Sequence, residues 1–290
     1  MRQERIHLVI IDPQNDFCDL PDAYLPATTT VQARIAPSLP VAGAHADMLR
    51  IAALIDAAGD ALTDISVTLD SHQHIDIAHP TFWKDGNGDG IGPFTQITAA
   101  DVRSGRFLPR IAGALSRVLA YLDQLEATGR YTHMVWPVHC EIGTWGHNVH
   151  RDVLAAYNRW EEATLRTVSK VVKGTNPWTE HFSAIRAEVP DPADAATEPN
   201  AAFIAQLREA DRILITGEAG SHCVKATAEH IAEQLGAQRL TLLVDCMSPV
   251  SGFEGPYRDF VEAMRAQGAT IATTTDILPS LRAALACTES

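Results

Sequence analysis

The sequence predicts an α/β fold, a doubly wound and mostly parallel sheet flanked by helices. Two observations carry this prediction. Short β-branched runs alternate with amphipathic stretches along the chain, which is the pattern of parallel βαβ units. The chain also has 290 residues, 46% of them hydrophobic, with few aromatic side chains. This length and composition suit one large core, so we expect a single domain over residues 1–290.

The strands and helices follow from these runs in order. Seven β-branched runs are predicted as strands: Ile6–Ile11, Ile65–Leu69, Met134–Trp136, Val168–Val172, Ile213–Thr216, Leu240–Val244 and Thr270–Thr273. Five stretches with helical spacing are predicted as helices: Ala44–Ala57, Ile111–Leu125, Val149–Glu162, Val224–Leu235 and Asp259–Gln267.

Two segments interrupt the alternation and have little periodicity. Asp76–Arg110 is rich in Gly, Pro and Asp, and Glu188–Asn200 is a Pro/Asp/Ala loop. Long irregular loops in a compact domain are typical of lids, binding loops or oligomer contacts. We therefore expect an inserted loop and helix region at about residues 76–130.

Charge and cysteine content exclude several classes of protein. A formal charge of −13 without a basic stripe argues against nucleic-acid binding, since neutralising phosphates needs clustered Lys and Arg. No signal-peptide pattern or membrane-length apolar run is present. The five cysteines are odd in number and unpaired by CxxC spacing, which indicates reduced thiols. We expect a soluble, cytoplasmic protein without a membrane partner.

Polar residues follow the predicted strands. In open α/β sheets the ligand binds beyond the carboxyl ends of the strands. The residues at those ends are Asp12, Asp70, the turn 137–140, Lys173, the loop 217–223, Asp245 and Asp276. Carboxylates, a lysine, a histidine and a cysteine at one edge of a sheet indicate catalysis.

Cys223 stands out among the thiols because it follows a strand and opens a predicted helix. The helix dipole and the free backbone N–H groups at that end favour a thiolate and could hold an oxyanion. The alternative is a small buried hydrophobe, the usual fate of a free cysteine. We assign that role to Cys18, Cys140, Cys246 and Cys287.

Asp12 and Lys173 have two interpretations each. A carboxylate beside a thiol can take its proton and return it to a leaving amine, but turn and cap aspartates are common. Asp245 ends its strand in the same way as Asp12, so position does not rank them. An ammonium near a thiol would stabilise the thiolate, whereas a single lysine is more often solvated. The residues alone favour the structural roles.

The segment from Asp70 to His74, Asp-Ser-His-Gln-His, predicts a metal site. Residues i and i+2 of an extended segment point the same way. One carboxylate and two imidazoles suit zinc, iron or manganese. A third ligand could be His139 or His79, and the alternative is a polar loop with incidental histidines. Asp85–Gly90 matches the start of an EF-hand loop but lacks its glutamate, so we interpret it as a glycine-rich turn, with calcium as the alternative.

Six segments occur in a defined order between the N-terminus and about residue 245. They are Ile11–Phe17, Leu39–Ala44, Asp70 with His72, Trp136–Cys140, Val172–Gly174 and Gly217–Thr227. Together they resemble the nicotinamidase branch of the isochorismatase-like cysteine hydrolases. The WPVHC segment and the CVKAT helix start are the most specific of them. The resemblance implies a Rossmann-like, three-layer fold.

The resemblance also implies a catalytic triad. Cys223 would be the nucleophile, Asp12 the general base and acid, and Lys173 the third member. A cis peptide is expected at Glu218–Ala219, with the N–H groups of Ala219 and Cys223 forming the oxyanion hole. Glu218 departs from the family, because small or apolar residues are common beside that bond.

For the metal, the resemblance implies Asp70, His72 and His139 as ligands, completed by waters. One divalent ion is expected, zinc first, with iron and manganese as alternatives. Phe17 and Trp136 match aromatic residues that sandwich a flat substrate ring, and Ala219 would also contact the substrate. In nicotinamidases the metal holds the pyridine nitrogen. A homo-oligomer and a role in NAD salvage are further expectations.

Three functions are compatible with these residues. The first is hydrolysis of nicotinamide to nicotinate and ammonia, which a metal and an aromatic clamp favour. The second is hydrolysis of another small amide, such as a carbamoyl or ureido compound, which the long insertion favours. The third is a non-catalytic small-molecule binder on the same scaffold, against which the three triad matches argue.

Overall fold

The structure is a computed structural model that describes residues 4–27 and 35–286. Its strands are β1 (Ile6–Ile11), β2 (Asp64–Asp70), β3 (Trp83–Asp85), β4 (Thr95–Ile97), β5 (Phe107–Pro109), β6 (His133–Val135), β7 (Ser169–Lys173), β8 (Arg212–Gly217), β9 (Leu240–Leu243) and β10 (Thr270–Ala272). Its α-helices are α1 (Ala44–Ala58), α2 (Ala99–Arg103), α3 (Leu115–Thr128), α4 (Arg151–Thr164), α5 (Ala201–Arg208), α6 (Cys223–Leu235), α7 (Glu254–Ala266) and α8 (Thr274–Ala286).

Six of the strands form one sheet in the order β10-β9-β8-β1-β2-β7, and every neighbouring pair is parallel. The central strand β1 is buried at all six positions. A strand that is covered on both faces has a continuous apolar sequence, and this is why IHLVII predicts the observed bounds of β1. The predicted α/β fold class is confirmed.

Helices cover both faces of this sheet. Ile6, Leu8 and Ile10 of β1 pack in one cluster with side chains of α1, α4 and α8. Val9 and Ile11 point to the opposite face and pack with α5, α6 and α7. Alternate residues of a strand face opposite sides of the sheet, so one strand anchors both layers.

Most of the predicted insertion at about residues 76–130 packs around a third hydrophobic cluster, which two residues from outside the insertion complete. Two short antiparallel pairs, β3 with β5 and β4 with β6, contribute side chains to this cluster together with α3. Phe82 and Trp83 are fully buried there against α3 residues that include Val118 and Leu122. The segment therefore has its own small core. The single-domain organisation of the chain stays a prediction.

Several sequence predictions need correction. Met134–Trp136 was expected as a strand of the parallel sheet, but His133–Val135 pairs antiparallel with β4 outside it. Asp276 was placed at a strand end and lies inside α8. The elements that were not predicted are α2, α5, α8 and the three-residue strands β3, β4 and β5. Such short strands carry too little alternation to be recognised, and Pro279 inside α8 argues against a helix by propensity.

The assigned structural role of the other cysteines is confirmed where it can be observed. Cys18, Cys140 and Cys246 are free and fully buried. Cys287 lies outside the described residues. Among the helices of residues 4–27 and 35–286, none is both long enough and apolar enough to cross a membrane.

Gly217 is the last residue of β8 and has a φ of +109° opposite Ile11 of β1. A Cβ atom there would lie 2.0 Å from the Ile11 carbonyl oxygen. We expect Gly217→Ala to lower the free energy of unfolding by more than about 3 kcal/mol, because positive φ and a clash with backbone act together. Urea unfolding at fixed pH measures this loss.

Gly88→Ala is the matched control, since Gly88 also has a positive φ but open space around its Cβ position. It should cost only about 1–2 kcal/mol, the strain of the left-handed backbone. Equal losses for the two variants would show that the close approach of β1 and β8 does not matter.

Candidate active site

The carboxyl ends of four adjacent strands meet at one point of the sheet. Asp12 directly follows β1, Asp70 ends β2, Lys173 ends β7, and Cys223 opens α6 after the loop that follows β8. Asp70 and Lys173 are register partners across β2 and β7. The structure thus brings all three residues of the predicted triad together with the first predicted metal ligand.

The Lys173 ammonium is the centre of this group and is almost completely buried. Its Nζ lies 2.9 Å from Asp12 Oδ2 and 2.9 Å from Asp70 Oδ1. It also donates to the His181 carbonyl at 3.1 Å and lies 3.5 Å from Cys223 Sγ. A buried charge needs partners of opposite sign, and the two carboxylates supply them.

The charge states of Lys173 and Asp12 depend on each other. Burial alone would lower the pKa of Lys173, but the Asp12 and Asp70 carboxylates raise it well above its usual value. Burial raises the pKa of Asp12, while Lys173 opposes that shift. The Thr68 hydroxyl donates to Asp12 Oδ1 at 2.5 Å and fixes the carboxylate in place. Asp12 is therefore suited to holding a proton during a reaction.

The thiol of Cys223 differs from the expectation for a helix N-terminus. Burial raises the pKa of Cys223 well above its usual value; Lys173 opposes the shift, and the Asp12 and Asp70 carboxylates add to it. The helix dipole therefore does not suffice to ionise the thiol. A proton acceptor is needed, and Asp12 is the carboxylate that contacts it.

The loop before α6 presents two backbone N–H groups beside the thiol. Among the described residues, the N–H groups of Ala219 and Cys223 donate no hydrogen bond to the chain. The Glu218–Ala219 peptide is cis, as the resemblance implies. Two unused donors next to a nucleophile can stabilise an oxyanion.

The predicted metal ligands converge next to Lys173. Asp70 Oδ2 lies 3.1 Å from His72 Nε2 and 3.4 Å from His139 Nε2. Ligand atoms around a tetrahedral zinc ion are roughly 3.4 Å apart, given Zn–N distances of about 2.0–2.1 Å. His72 Nδ1 contacts Asp76 Oδ2 at 3.1 Å, the kind of outer carboxylate that orients a ligating imidazole.

The other two candidate histidines, His79 and His74, lie in different surroundings. His79 is fully buried and joins His72 and His139 in a group whose ligand atoms lie within 4.8 Å of one another. His74 is mostly exposed and pairs with Glu141 at 2.9 Å. The i+2 alternation from Asp70 thus extends to His72, which lies two residues past β2 in a bridge with Glu141, and it stops before His74.

A small pocket, with a cavity volume of about 30 Å³, opens in front of the thiol. Five predicted site residues line it: Phe17, Trp136, Ala219, Cys223 and the predicted metal ligand His139. Sequence reasoning missed the remaining lining residues, which are Leu39, Glu180, Phe182, His222 and Val250. They come from separate loops, and only the position of His222 beside the nucleophile gave a signal.

Two further candidates have structural roles. Asp245 accepts hydrogen bonds from the N–H and hydroxyl of Thr274 at 2.9 and 2.6 Å, and so caps α8. In Asp85–Gly90, the Asp85 carboxylate accepts from the N–H groups of Asn87 and Asp89 at 2.9 Å each. This segment is a turn, as predicted.

Comparison with solved structures relates this α/β fold to the nicotinamidases and pyrazinamidases. The Acinetobacter baumanii nicotinamidase/pyrazinamidase matches with a TM-score of 0.61 at 19% identity, over 96% of this chain and 100% of that one. Yeast nicotinamidase matches with a TM-score of 0.60 at 21% identity, over 92% and 99%. The pyrazinamidase of Pyrococcus horikoshii in complex with zinc gives 0.52 at 17%, over 93% and 99%.

These likenesses show that the chain has the nicotinamidase fold. A scan against family models and a search of curated proteins found no match.

Lys173→Met should lower the free energy of unfolding by about 3–5 kcal/mol, because it leaves two buried carboxylates without their cation. Lys170→Met, on the same strand, is the matched control. Lys170 is 39% exposed and 3.5 Å from Glu161, so its loss should cost less than about 1 kcal/mol. Denaturant unfolding of both variants measures the difference, and similar values for the two would contradict the assigned role of the buried ammonium.

Proposed function

We propose that this protein is a metal-dependent cysteine amidohydrolase that converts nicotinamide to nicotinate and ammonia. The observation that carries the proposal is the buried group of Cys223, Asp12 and Lys173, in which one ammonium lies 2.9 Å from a carboxylate and 3.5 Å from a thiol. The fold supports it, since the similar structures include yeast nicotinamidase bound to the inhibitor nicotinaldehyde and PnC1 from L. infantum in complex with nicotinate.

In the first half of the reaction, the Asp12 carboxylate takes the thiol proton of Cys223. The thiolate attacks the amide carbonyl carbon, and the carbonyl oxygen becomes an oxyanion that accepts from the N–H groups of Ala219 and Cys223. Lys173 stabilises the negative charge as it moves between carboxylate and sulfur. Asp12 then gives its proton to the leaving nitrogen, the C–N bond breaks, and ammonia departs.

In the second half, Asp12 takes a proton from water. The resulting hydroxide attacks the thioester carbonyl, and the C–S bond breaks. Asp12 returns its proton to the sulfur of Cys223, and the carboxylic acid product loses its own proton to solvent as it leaves. Asp12 thus alternates between base and acid, which its raised pKa permits.

The residues around Asp70 fit a divalent ion. Asp70, His72 and His139 would hold it, and His79 is close enough to be a fourth ligand. The donor set of one carboxylate and imidazoles suits zinc first, with iron and manganese as alternatives. When bound, the ion would supply a Lewis-acidic position for a ring nitrogen of the substrate, while Phe17 and Trp136 clamp the ring.

A second candidate is hydrolysis of another small amide, such as a carbamoyl or ureido compound. A further cavity of about 190 Å³ shares Trp136, Phe182 and His222 with the first pocket, and its lining includes Arg130 and Lys225. A panel of small amides scored for ammonia, including carbamoyl and ureido compounds, distinguishes the two candidates. The cytoplasmic location, the homo-oligomer and the role in NAD salvage stay predictions.

Cys223→Ala should abolish ammonia release from nicotinamide, lowering the rate by at least about 10⁴-fold, because no other group supplies the nucleophile. Cys246→Ala is the control, since Cys246 is equally buried but packs in the core on the opposite face. It should keep most of the activity. Ammonia release by the Cys223→Ala protein would exclude the thioester route, and a wild-type protein that binds amides without hydrolysing them would favour a binding protein.

His72→Ala should lower both bound metal and activity, whereas His74→Ala should change neither. The two histidines are two residues apart, but only His72 belongs to the buried cluster. Metal content per chain, measured by mass spectrometry after dialysis, is the readout independent of turnover. Equal metal content in both variants, or none in the wild type, would contradict the assigned site.

A further inference from the structure

Glu218 is a buried carboxyl group that the proposed reaction does not use. It lies immediately before Ala219, whose N–H is one of the two proposed oxyanion donors, and it is fully buried. Within residues 4–27 and 35–286, no ion pair joins it to a cation. Its Oε2 accepts from the backbone N–H of Ser248 at 3.3 Å, and its Oε1 has no N–H or O–H donor among the described residues.

The group that faces Glu218 is another carboxyl, that of Asp47 in α1, within hydrogen-bonding contact. Two ionised carboxylates only accept hydrogen bonds, so this contact needs one shared proton. Burial raises the pKa of Asp47, but the hydrogen bonds that it accepts from the Ser248 hydroxyl at 2.6 Å and from Arg50 at 2.7 Å oppose this shift and favour the anion. The proton therefore resides on Glu218, which donates to Asp47.

Ser248 connects this pair to the nucleophile loop. Its N–H and hydroxyl contact Glu218 and Asp47, and its carbonyl accepts from the N–H of Gly220 at 2.8 Å. One residue on, the hydroxyl of Ser221 accepts from the N–H of Val250 at 3.1 Å. The loop on both sides of Ala219 is thus held by the segment that follows β9.

We propose that neutral Glu218 is a positioning residue, which holds the Ala219 N–H in place for the oxyanion through its hydrogen bonds with Asp47 and Ser248. This inference rests on the proposed function. A small displacement of an oxyanion donor reduces the rate of the chemical step strongly, while substrate binding in the ground state depends on it little.

The surroundings keep Glu218 neutral. Burial raises its pKa well above the usual value, and the Asp47 carboxyl raises it further. The titratable and charged groups that act on the pair are Cys18, Asp19, Arg50, Asp245, Cys246 and Tyr257. Of these only Arg50 is a cation, and it is paired with Asp47. As the pH rises through the raised pKa, Glu218 ionises, its bond to Asp47 is lost, and kcat should fall.

The test compares Glu218→Gln with Glu218→Ala. The glutamine keeps both hydrogen bonds, since its amide donates to Asp47 and accepts from Ser248. Its kcat should stay within about threefold of wild type at neutral pH, whereas Glu218→Ala should lose roughly 10- to 100-fold in kcat with little change in KM. Glu218→Gln should also lack the part of the alkaline loss of kcat that Glu218 causes.

Far-ultraviolet circular dichroism checks that both variants fold, and the pH profile of Glu218→Gln alone remains decisive if the alanine variant does not. Wild-type kcat in Glu218→Ala, or an unchanged alkaline loss in Glu218→Gln, would overturn the inference. Absence of Cys223-dependent ammonia release by the wild type would instead remove the proposed function. The two failures are thus distinguishable.

Discussion

The buried ammonium of Lys173 is the interaction on which the rest of the site depends. It lies between two carboxylates from neighbouring strands and within reach of the thiol at the start of α6. Burying any one of these charged groups without the others would leave an unpaired charge in the protein interior, which is strongly unfavourable. The order β8-β1-β2-β7 fixes their spacing, because adjacent parallel strands place their carboxyl ends side by side. The sheet therefore sets the distances between these groups and also supplies the hydrophobic core.

The sequence predicts features that depend on a single strand better than features that depend on which elements meet. The central strand was recognisable since both its faces are covered. The i+2 spacing of Asp70 and His72 holds because Asp70 ends β2 and His72 continues beside Glu141 in a bridge. Met134–Trp136 was assigned to the wrong sheet, as three β-prone residues carry no information about their partner. The pocket residues Phe182 and Val250 could not be found, because they meet only after separate loops fold.

The histidines and the thiol show where predictions from local sequence patterns fail. His79 joins the cluster through the segment after β2, whose course no sequence periodicity predicts. His74 fits the i+2 spacing in the sequence, but its side chain is mostly exposed. The helix dipole at Cys223 favours a thiolate, yet burial and two neighbouring carboxylates dominate the pKa. In both cases tertiary surroundings outweigh a correct local argument, as expected at a site where several charges are desolvated together.

The small core of the insertion has a consequence for how this protein can change. Gln96, Tyr131 and Met134 line the outer cavity. Tyr131 and Met134 pack against the sheet cluster that contains Cys223, and Tyr131 also packs against the cluster around α3. Effects of substitutions at residues that share packing neighbours are often not additive. Mutations that alter which molecules enter the cavity therefore also change the packing around the thiol, so substrate range and bond-breaking chemistry are coupled traits in this chain.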